Sequence, residues 1–223
     1  PMIFKVLKTL VQSGIQEIVI TVGGDHAADI VRIVGDGKDF GVKISYVYQK
    51  GAGGIAEALY LTRSLVQGHN LAVILGDNIF QDTFKEEIKK FEADTQHHCY
   101  LFLKQVENPK QFGIADVDVQ FKILNIEEKP KNPKSNWAVT GLYFYKPDVF
   151  DKIDRVKVKI GYSVRRELEI TDVNNLYVKE KKTKALLVKG AWFDAGEFET
   201  LIDAGMFVRS ITPKKEEFEK KLL

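Results

Sequence analysis

The fold of this chain is decided by one short stretch, Leu71-Ala72-Val73-Ile74-Leu75-Gly76-Asp77-Asn78. Five apolar residues in a row, without alternation, are typical of a strand buried on both faces at the centre of a parallel sheet. The run ends directly in a glycine and a carboxylate, and α/β proteins bind ligands beyond the carboxyl ends of such strands. The stretch therefore predicts an α/β fold and makes Asp77 the first candidate functional residue.

The segments on both sides of this stretch alternate between helix and strand, which predicts stacked βαβ units over the first hundred residues. The helices are expected over 2–11, from a cap at Asp25 to Val34, over 55–65 and near 83–94, and the strands over 17–22, 42–49, 71–75 and 99–103. After Pro109 three strands follow in quick succession, over 114–117, 122–127 and 137–145, which is typical of antiparallel additions to a sheet.

A helix near 171–179, a strand over 185–188 and a helix near 197–211 complete the pattern. We expect one domain over residues 1–212 and a charged tail over 213–223. No internal repeat or low-complexity linker divides the chain.

Composition and charge exclude several classes of partner. The 223 residues are 44% hydrophobic and 29% charged, and the 33 basic and 31 acidic side chains are interleaved. Nucleic-acid-binding proteins usually concentrate basic residues, so no nucleic acid is expected as a partner. The single cysteine, Cys99, cannot form an internal disulfide, and no apolar run approaches the roughly 20 residues that cross a bilayer. We expect a soluble cytoplasmic protein without a membrane partner.

Polar residues that follow three of the predicted strands are candidates for chemistry. Gln49 opens a glycine-rich loop through Gly54, which either approaches a base or phosphate closely or is an ordinary flexible loop. Asp77 either binds Mg²⁺, which prefers one or two carboxylates plus substrate phosphates, or begins an Asx-turn. Asp194 either converges with Asp77 on one ion or caps the helix that follows it.

Basic residues near these positions are candidates for binding phosphate, because phosphoryl transfer depends on charge neutralisation. Lys129 follows a predicted strand, and Arg165 precedes the acidic string that begins at Glu167. Either is alternatively a solvated surface charge. The adjacent residues His97 to Cys99 lack the separated spacing of zinc ligands, so no zinc site is expected.

Four longer strings resemble the glucose-1-phosphate thymidylyltransferase family and occur in its order. They are Leu75-Gly76-Asp77-Asn78-Ile79-Phe80, Glu127-Glu128-Lys129-Pro130 with Pro133-Lys134-Ser135-Asn136, Ala138-Val139-Thr140-Gly141-Leu142-Tyr143-Phe144-Tyr145, and Glu167-Leu168-Glu169-Ile170-Thr171-Asp172. The resemblance runs from Pro1 to about Thr212. It implies a Rossmann-like, GT-A-like nucleotidyltransferase fold of three layers, with a mixed, mostly parallel central sheet and added antiparallel strands.

The resemblance also implies an activity and assigns roles residue by residue. The activity is synthesis of dTDP-glucose and pyrophosphate from dTTP and glucose 1-phosphate with Mg²⁺, in a homo-oligomer. Catalytic roles fall on Asp77, Lys129, Arg165 and Asp194, of which Asp77 and Asp194 would bind the metal and Lys129 and Arg165 the sugar phosphate. Nucleotide contacts fall on Gln49, Gly54 and Asp77, and sugar contacts on Gly113, Glu128, Val139 and Tyr143.

The chain departs from the family pattern in two places. The family's first strand and its Gly-Gly-x-Gly-Thr-Arg-Leu triphosphate loop would lie upstream of Pro1, so the chain as given is expected to lack part of the phosphate site. Arg166 stands where the family usually has glycine. Two alternative functions stay open, namely a nucleotidyltransferase that uses UTP or another sugar 1-phosphate, and a non-catalytic paralogue that binds sugar nucleotides.

Overall fold

The computed structural model describes residues 1–211 and has an α/β architecture. The helices are α1 (Ile3–Gln12), α2 (Ala27–Val34), α3 (Ile55–Leu61), α4 (Arg63–Val66), α5 (Lys85–Ala93), α6 (Val149–Lys159), α7 (Ile170–Lys179) and α8 (Phe198–Ile211). The strands are β1 (Glu17–Gly23), β2 (Lys43–Gln49), β3 (Leu71–Ile74), β4 (Asn78–Phe80), β5 (Cys99–Gln105), β6 (Gly113–Val117), β7 (Ile123–Glu128), β8 (Trp137–Tyr145), β9 (Thr183–Leu187) and β10 (Trp192–Asp194). The predicted tail over 213–223 lies outside the described residues.

A mixed sheet of six strands forms the centre of the molecule. Its order is β7-β6-β8-β5-β9, and β3 also pairs with β8. The β5–β9 ladder is parallel, whereas β8 is antiparallel to β3, β5 and β6, and β6 is antiparallel to β7. A parallel pair, β1–β2, and a short antiparallel pair, β4–β10, form ladders separate from this sheet. The α/β class and the mixed sheet are confirmed, but antiparallel ladders outnumber parallel ones among the described strands.

The prediction that residues 71–75 form the centre of a parallel sheet is wrong in one respect. Strand β3 is packed on both faces, because Leu71 and Val73 contact one core cluster and Ala72 and Ile74 contact another. Its described neighbour is nevertheless β8, which runs antiparallel to it. A continuous apolar run reports burial on two faces, and burial does not by itself fix the direction of the partner strand.

The core is divided by the β5–β8 ladder into two layers. Alternate residues of β5 point into a cluster under α6 and α7 that includes Leu101 and Tyr177, or into an aromatic cluster under α5 that includes Phe91 and Phe102. Helix α6 was not predicted, although its buried apolar residues recur at helical spacing, because charged residues fill most of the intervening positions. The cap predicted at Asp25 is also wrong, since α2 begins at Ala27 without a side-chain cap.

A cleft of about 930 Å³ separates β1 from β3 and is lined by both strands, α1 and the α3–α4 region. Within residues 1–211, β1 pairs only with β2 and β3 only with β8, so each has one open edge. The expected upstream strand stays a prediction, and this cleft offers two strand edges with which one more strand can pair. None of the described helices is long and apolar enough to cross a membrane.

The partly buried carboxylate of Asp94 anchors the loop between α5 and β5. Tyr100 Oη donates to it at 2.7 Å, the His97 ring lies 2.8 Å away, and the backbone N–H groups of Gln96 and His97 also donate to it. Burial alone would raise the pKa of this carboxyl, but the hydrogen bonds, led by that of the His97 N–H, hold the pKa of Asp94 well below its ordinary value.

We expect Asp94→Asn to lower the free energy of unfolding by about 1–3 kcal/mol near pH 7, because hydrogen bonds to a charged group are lost. Folding lowers the pKa of Asp94. The stability that its charge contributes is therefore fully present above about pH 4, the ordinary pKa of an aspartate, and declines progressively as the pH falls below that value. The deficit should therefore shrink as the pH falls from 7 to 3 in urea unfolding. Asp39→Asn is the control, because the Asp39 side chain is exposed and has no hydrogen bond or ion pair with the described residues. A deficit independent of pH would contradict the prediction.

Candidate active site

Two carboxylates converge beyond the ends of β3 and β10. Strands β4 and β10 are paired so that Asn78 lies opposite Asp194, and the Ala195 N–H donates to the backbone oxygen of Asp77 at 2.9 Å. A Cβ atom placed on Gly196 would lie 3.2 Å from Asp194 Oδ1 and 3.2 Å from Asp77 Oδ2. The two oxygens therefore face one small space, which a glycine keeps open.

The pKa of Asp194 also indicates that the two carboxylates lie close together. Burial first, and then the charge of Asp77, raise the pKa of Asp194 above its ordinary value, whereas Lys129 acts in the opposite direction. Two carboxylates held this close are mutually repulsive unless a cation lies between them. Among residues 1–211 no cluster of three His, Cys, Asp or Glu forms a complete metal cage. The pair fits Mg²⁺, which is usually held by one or two carboxylates and completed by water and substrate phosphates.

Tyr143 lies in the interior beside this space. Its side chain is buried, and burial first, then the charges of Glu128, Asp194 and Asp77, raise the pKa of its hydroxyl. One buried hydroxyl is thus within electrostatic reach of three predicted site carboxylates. Val139, on the same strand, is partly buried and packs against the same core cluster as Tyr143.

The predicted sugar-binding carboxylate, Glu128, ends β7 directly opposite Gly113 of β6. The Thr171 hydroxyl donates to Glu128 Oε2 at 2.7 Å. A Cβ atom on Gly113 would lie 3.2 Å from that oxygen and 3.4 Å from Thr171 Oγ1, so a larger residue would crowd this side of the carboxylate. Thr171 was not assigned a role from the sequence, although it lies within one of the four strings.

Arg165, the predicted ligand of the sugar phosphate, is paired with three carboxylates. Its Nη2 atom lies 2.9 Å from both oxygens of Glu169, 3.4 Å from Glu128 Oε1 and 3.6 Å from Glu167 Oε2. The guanidinium is therefore placed beside the predicted sugar carboxylate, and an arriving phosphate has to share it with these groups. Lys129 follows Glu128 directly and is exposed to solvent.

The two predicted nucleotide contacts, Gln49 and Gly54, lie together in the loop between β2 and α3. Gln49 Nε2 donates to the Gly54 backbone oxygen at 3.2 Å and to Glu57 Oε2 at 2.9 Å. The nitrogen of the Gln49 amide, a predicted nucleotide contact, is thus engaged within the protein. Glu57 was not predicted, because its contact joins the end of β2 to the first turn of α3, and residue spacing does not specify such a contact.

The same loop is fixed through Leu168 to the segment that carries Arg165. The Leu168 N–H donates to the Gly53 oxygen at 2.8 Å, and the Ala56 N–H donates to the Leu168 oxygen at 3.2 Å. Gly54 lies between these bonds with a φ of +91°. The structure therefore connects the predicted nucleotide loop to the segment that carries Arg165 and Thr171.

This arrangement has a counterpart among known proteins. The model of the nucleotidyl transferase family matches residues 1–211. The chain belongs to the nucleotidyl transferase family. It is 38% identical to a glucose-1-phosphate thymidylyltransferase of Neisseria meningitidis, with 95% of this chain and 73% of the relative covered. It is 37% identical to the enzyme of that name from Mycolicibacterium smegmatis, with 95% and 72% covered.

Solved structures agree with this membership. A Bacillus anthracis protein assigned as a glucose-1-phosphate thymidylyltransferase, solved with sucrose, is 40% identical and superposes with a TM-score of 0.87 over 96% of this chain and 85% of its own. A UDP-glucose pyrophosphorylase solved with UDP-glucose is 22% identical over 95% of this chain and 88% of its own, with a TM-score of 0.80, and shares the fold. The prediction of a GT-A-like nucleotidyltransferase is confirmed.

This nucleotidyl transferase carries a left-handed residue next to Arg165, the predicted ligand of the sugar phosphate. Arg166 has a φ of 60°, and its N–H donates to the Ser163 oxygen at 2.8 Å to close a turn. The left-handed region favours glycine, which explains why glycine is usual at this position of the family pattern. The departure at Arg166 therefore changes the cost of the turn and leaves its shape intact.

We expect Arg166→Gly to raise the free energy of unfolding by about 0.5–1 kcal/mol. Relief of the left-handed strain gains about 1–2 kcal/mol, and the greater freedom of glycine in the unfolded chain removes part of that gain. Arg166→Ala is the matched control, since it removes the same exposed side chain and keeps the strain. Equal stability of the two variants in chemical unfolding would refute the explanation.

Proposed function

We propose that this nucleotidyl transferase makes dTDP-glucose and pyrophosphate from dTTP and glucose 1-phosphate. The observation that carries the proposal is the convergence of Asp77 Oδ2 and Asp194 Oδ1 on one space. The buried Tyr143 hydroxyl is within electrostatic reach of both carboxylates and of Glu128, which pairs with Arg165. A cation-binding space beside a carboxylate and a guanidinium suits a sugar phosphate and a nucleoside triphosphate together. The relatives that bear this enzyme name, at 37–38% identity, support the same substrates.

The reaction is a single displacement at phosphorus. A phosphate oxygen of glucose 1-phosphate forms a bond to the α-phosphorus of dTTP, the bond to the bridging oxygen of the β-phosphate breaks, and pyrophosphate leaves with that electron pair. The attacking phosphate is already ionised near neutral pH, so no side chain has to remove a proton. Asp77 and Asp194 would hold Mg²⁺, which when bound neutralises phosphate charge.

The side chains around this space orient the sugar phosphate. Glu128 accepts hydrogen bonds from sugar hydroxyls through the oxygen edge that Gly113 leaves open, while Thr171 fixes its Oε2. Arg165 and Lys129 hold the phosphate group. Because Glu169 already orients the Arg165 guanidinium at 2.9 Å, the cation is placed before the substrate arrives, which reduces the cost of ordering it.

Pyrophosphate release tests the proposal directly. The protein as its gene encodes it is incubated with dTTP, glucose 1-phosphate and Mg²⁺, and the phosphate that added pyrophosphatase forms from pyrophosphate is measured. We expect release that requires both substrates and stops on chelation of the metal. Absence of turnover in the full gene product with every combination of nucleoside triphosphate and sugar 1-phosphate would refute the proposal, and binding of dTDP-glucose without turnover would support a non-catalytic paralogue.

The same assay measures the choice of nucleotide. dTTP and UTP differ by one methyl group on the base, and a pocket discriminates a methyl group by only about 1–3 kcal/mol. We expect kcat/KM for dTTP to exceed that for UTP by about 10- to 200-fold. A preference for UTP would assign the chain to the alternative enzyme class. Homo-oligomeric assembly stays a prediction.

A further inference from the structure

The side chain of Asn78 joins three parts of the site. It is buried, with 1% of its surface exposed. Its amide oxygen accepts hydrogen bonds from the Gly141 N–H of β8 at 2.9 Å and from Trp192 Nε1 of β10 at 2.7 Å. Its amide nitrogen donates to Asp77 Oδ1 at 2.9 Å. One buried amide therefore connects the candidate metal ligand to two strands.

The glycine at position 141 makes this contact possible. A Cβ atom there would lie 2.6–2.7 Å from the amide carbon, nitrogen and oxygen of Asn78, closer than any ordinary contact. The orientation of the amide also follows from its partners, since Gly141 and Trp192 both present N–H groups and can only meet the oxygen. The amide nitrogen is left to face Asp77.

This bond distinguishes the two oxygens of Asp77. Oδ1 is held by Asn78, and Oδ2 is the oxygen that faces the space shared with Asp194, beside Gly196. The backbone of Asp77 is fixed separately by the Ala195 N–H. The side-chain rotation of Asp77 is therefore set by the Asn78 amide.

We propose that Asn78 is a positioning residue that aims Asp77 Oδ2 at a divalent cation, and that Trp192 holds the Asn78 amide in the orientation this requires. The inference rests on the proposed function, because it needs a cation between Asp77 and Asp194. Groups that hydrogen-bond to metal ligands typically contribute 10- to 100-fold to metal affinity. Asn78 should contribute within that range without touching the metal.

Direct Mn²⁺ binding tests the inference without relying on turnover. The dissociation constant of the chain for Mn²⁺ is measured by water-proton relaxation, and we expect Asn78→Ala to raise it about 10- to 100-fold. Trp192→Phe removes the N–H group that holds the Asn78 amide but leaves that amide in place, and it keeps an aromatic ring beside Phe112, 5.4 Å away between centroids. It should therefore raise the dissociation constant less than Asn78→Ala. Thr140→Val is the control, since this buried hydroxyl of β8 has no hydrogen-bond partner among the described residues and its loss should leave Mn²⁺ affinity unchanged.

A double-mutant cycle separates positioning from a general structural role. If Asn78 acts through Asp77, adding Asn78→Ala to Asp77→Asn lowers Mn²⁺ affinity no further than Asp77→Asn alone. Losses that add independently would overturn the inference, as would an Asn78→Ala dissociation constant within twofold of the parent. If circular dichroism shows that Asn78→Ala does not fold, Trp192→Phe becomes the deciding variant. Unchanged Mn²⁺ affinity in Trp192→Phe would then overturn the inference.

The two proposals fail in different ways. A parent chain that binds no Mn²⁺ overturns both the metal site and the positioning role. A full gene product that binds Mn²⁺, and loses affinity in Asn78→Ala, yet releases no pyrophosphate overturns the proposed reaction and supports the positioning role.

Discussion

Asp77→Asn is expected to lower kcat for pyrophosphate release by about 10²-fold or more, because one of two cation ligands is lost. The fold should be retained, since the new amide oxygen still accepts the hydrogen bond from Asn78. The free energy of unfolding should not fall and is expected to rise slightly, because the charge of Asp77, which raises the pKa of Asp194, is removed. Activity and stability therefore move in opposite directions.

Steady-state kinetics and urea unfolding on the full gene product measure these two effects together. Asp203→Asn is the matched control, because Asp203 is an exposed carboxylate of α8. It should leave both kcat and stability unchanged. Full activity in Asp77→Asn would remove Asp77 from the mechanism, and a large loss of stability would mean that the carboxylate serves the fold.

Gly54→Ala is expected to lower the free energy of unfolding by about 2–4 kcal/mol, from left-handed strain and a backbone clash together. Gly54 has a φ of +91°, and an added Cβ would lie 2.7 Å from the Leu168 oxygen and 2.8 Å from its nitrogen. Because backbone atoms cannot rotate away, the loop has to separate from Leu168. KM for the nucleotide should rise as well, since Gln49 contacts the Gly54 oxygen.

Gly51→Ala separates the two causes. Gly51 lies in the same loop with a φ of +81°, but an added Cβ meets nothing within 4 Å. Its substitution should cost only the conformational strain, about 1–2 kcal/mol. If Gly54→Ala proves no more destabilising than Gly51→Ala in chemical unfolding, the contact with Leu168 is not what requires glycine.

Features that depend on local pattern could be predicted from the sequence. The parallel β1–α2–β2 unit, the strand at Trp137–Tyr145 and the family of the chain all follow from contiguous strings of residues. The carboxylates that follow strands were identified because the ends of strands meet at one edge of a sheet.

Features that depend on pairing between distant segments could not be predicted. The short strands β4 and β10 have three residues each, too few for a periodic signal, so the pairing that brings Asp194 to Asp77 was not predicted, although their convergence was one of two alternatives. The carboxylates around Arg165 and the engagement of the Gln49 amide by Glu57 depend on side-chain orientation, which residue spacing does not specify. The choice of β8 as the partner of β3 likewise depends on pairing between distant segments.

The indole of Trp192 gives this site a built-in optical signal. It donates to the amide that holds Asp77, and it is one of two tryptophans in the chain, the other being Trp137, which packs on Phe121. Replacement of Trp137 by Phe would leave one emitter, whose emission wavelength and intensity depend on the polarity and rigidity around its N–H group. Binding of a cation between Asp77 and Asp194 could then be followed in real time without a label, in the same sample whose turnover is being measured.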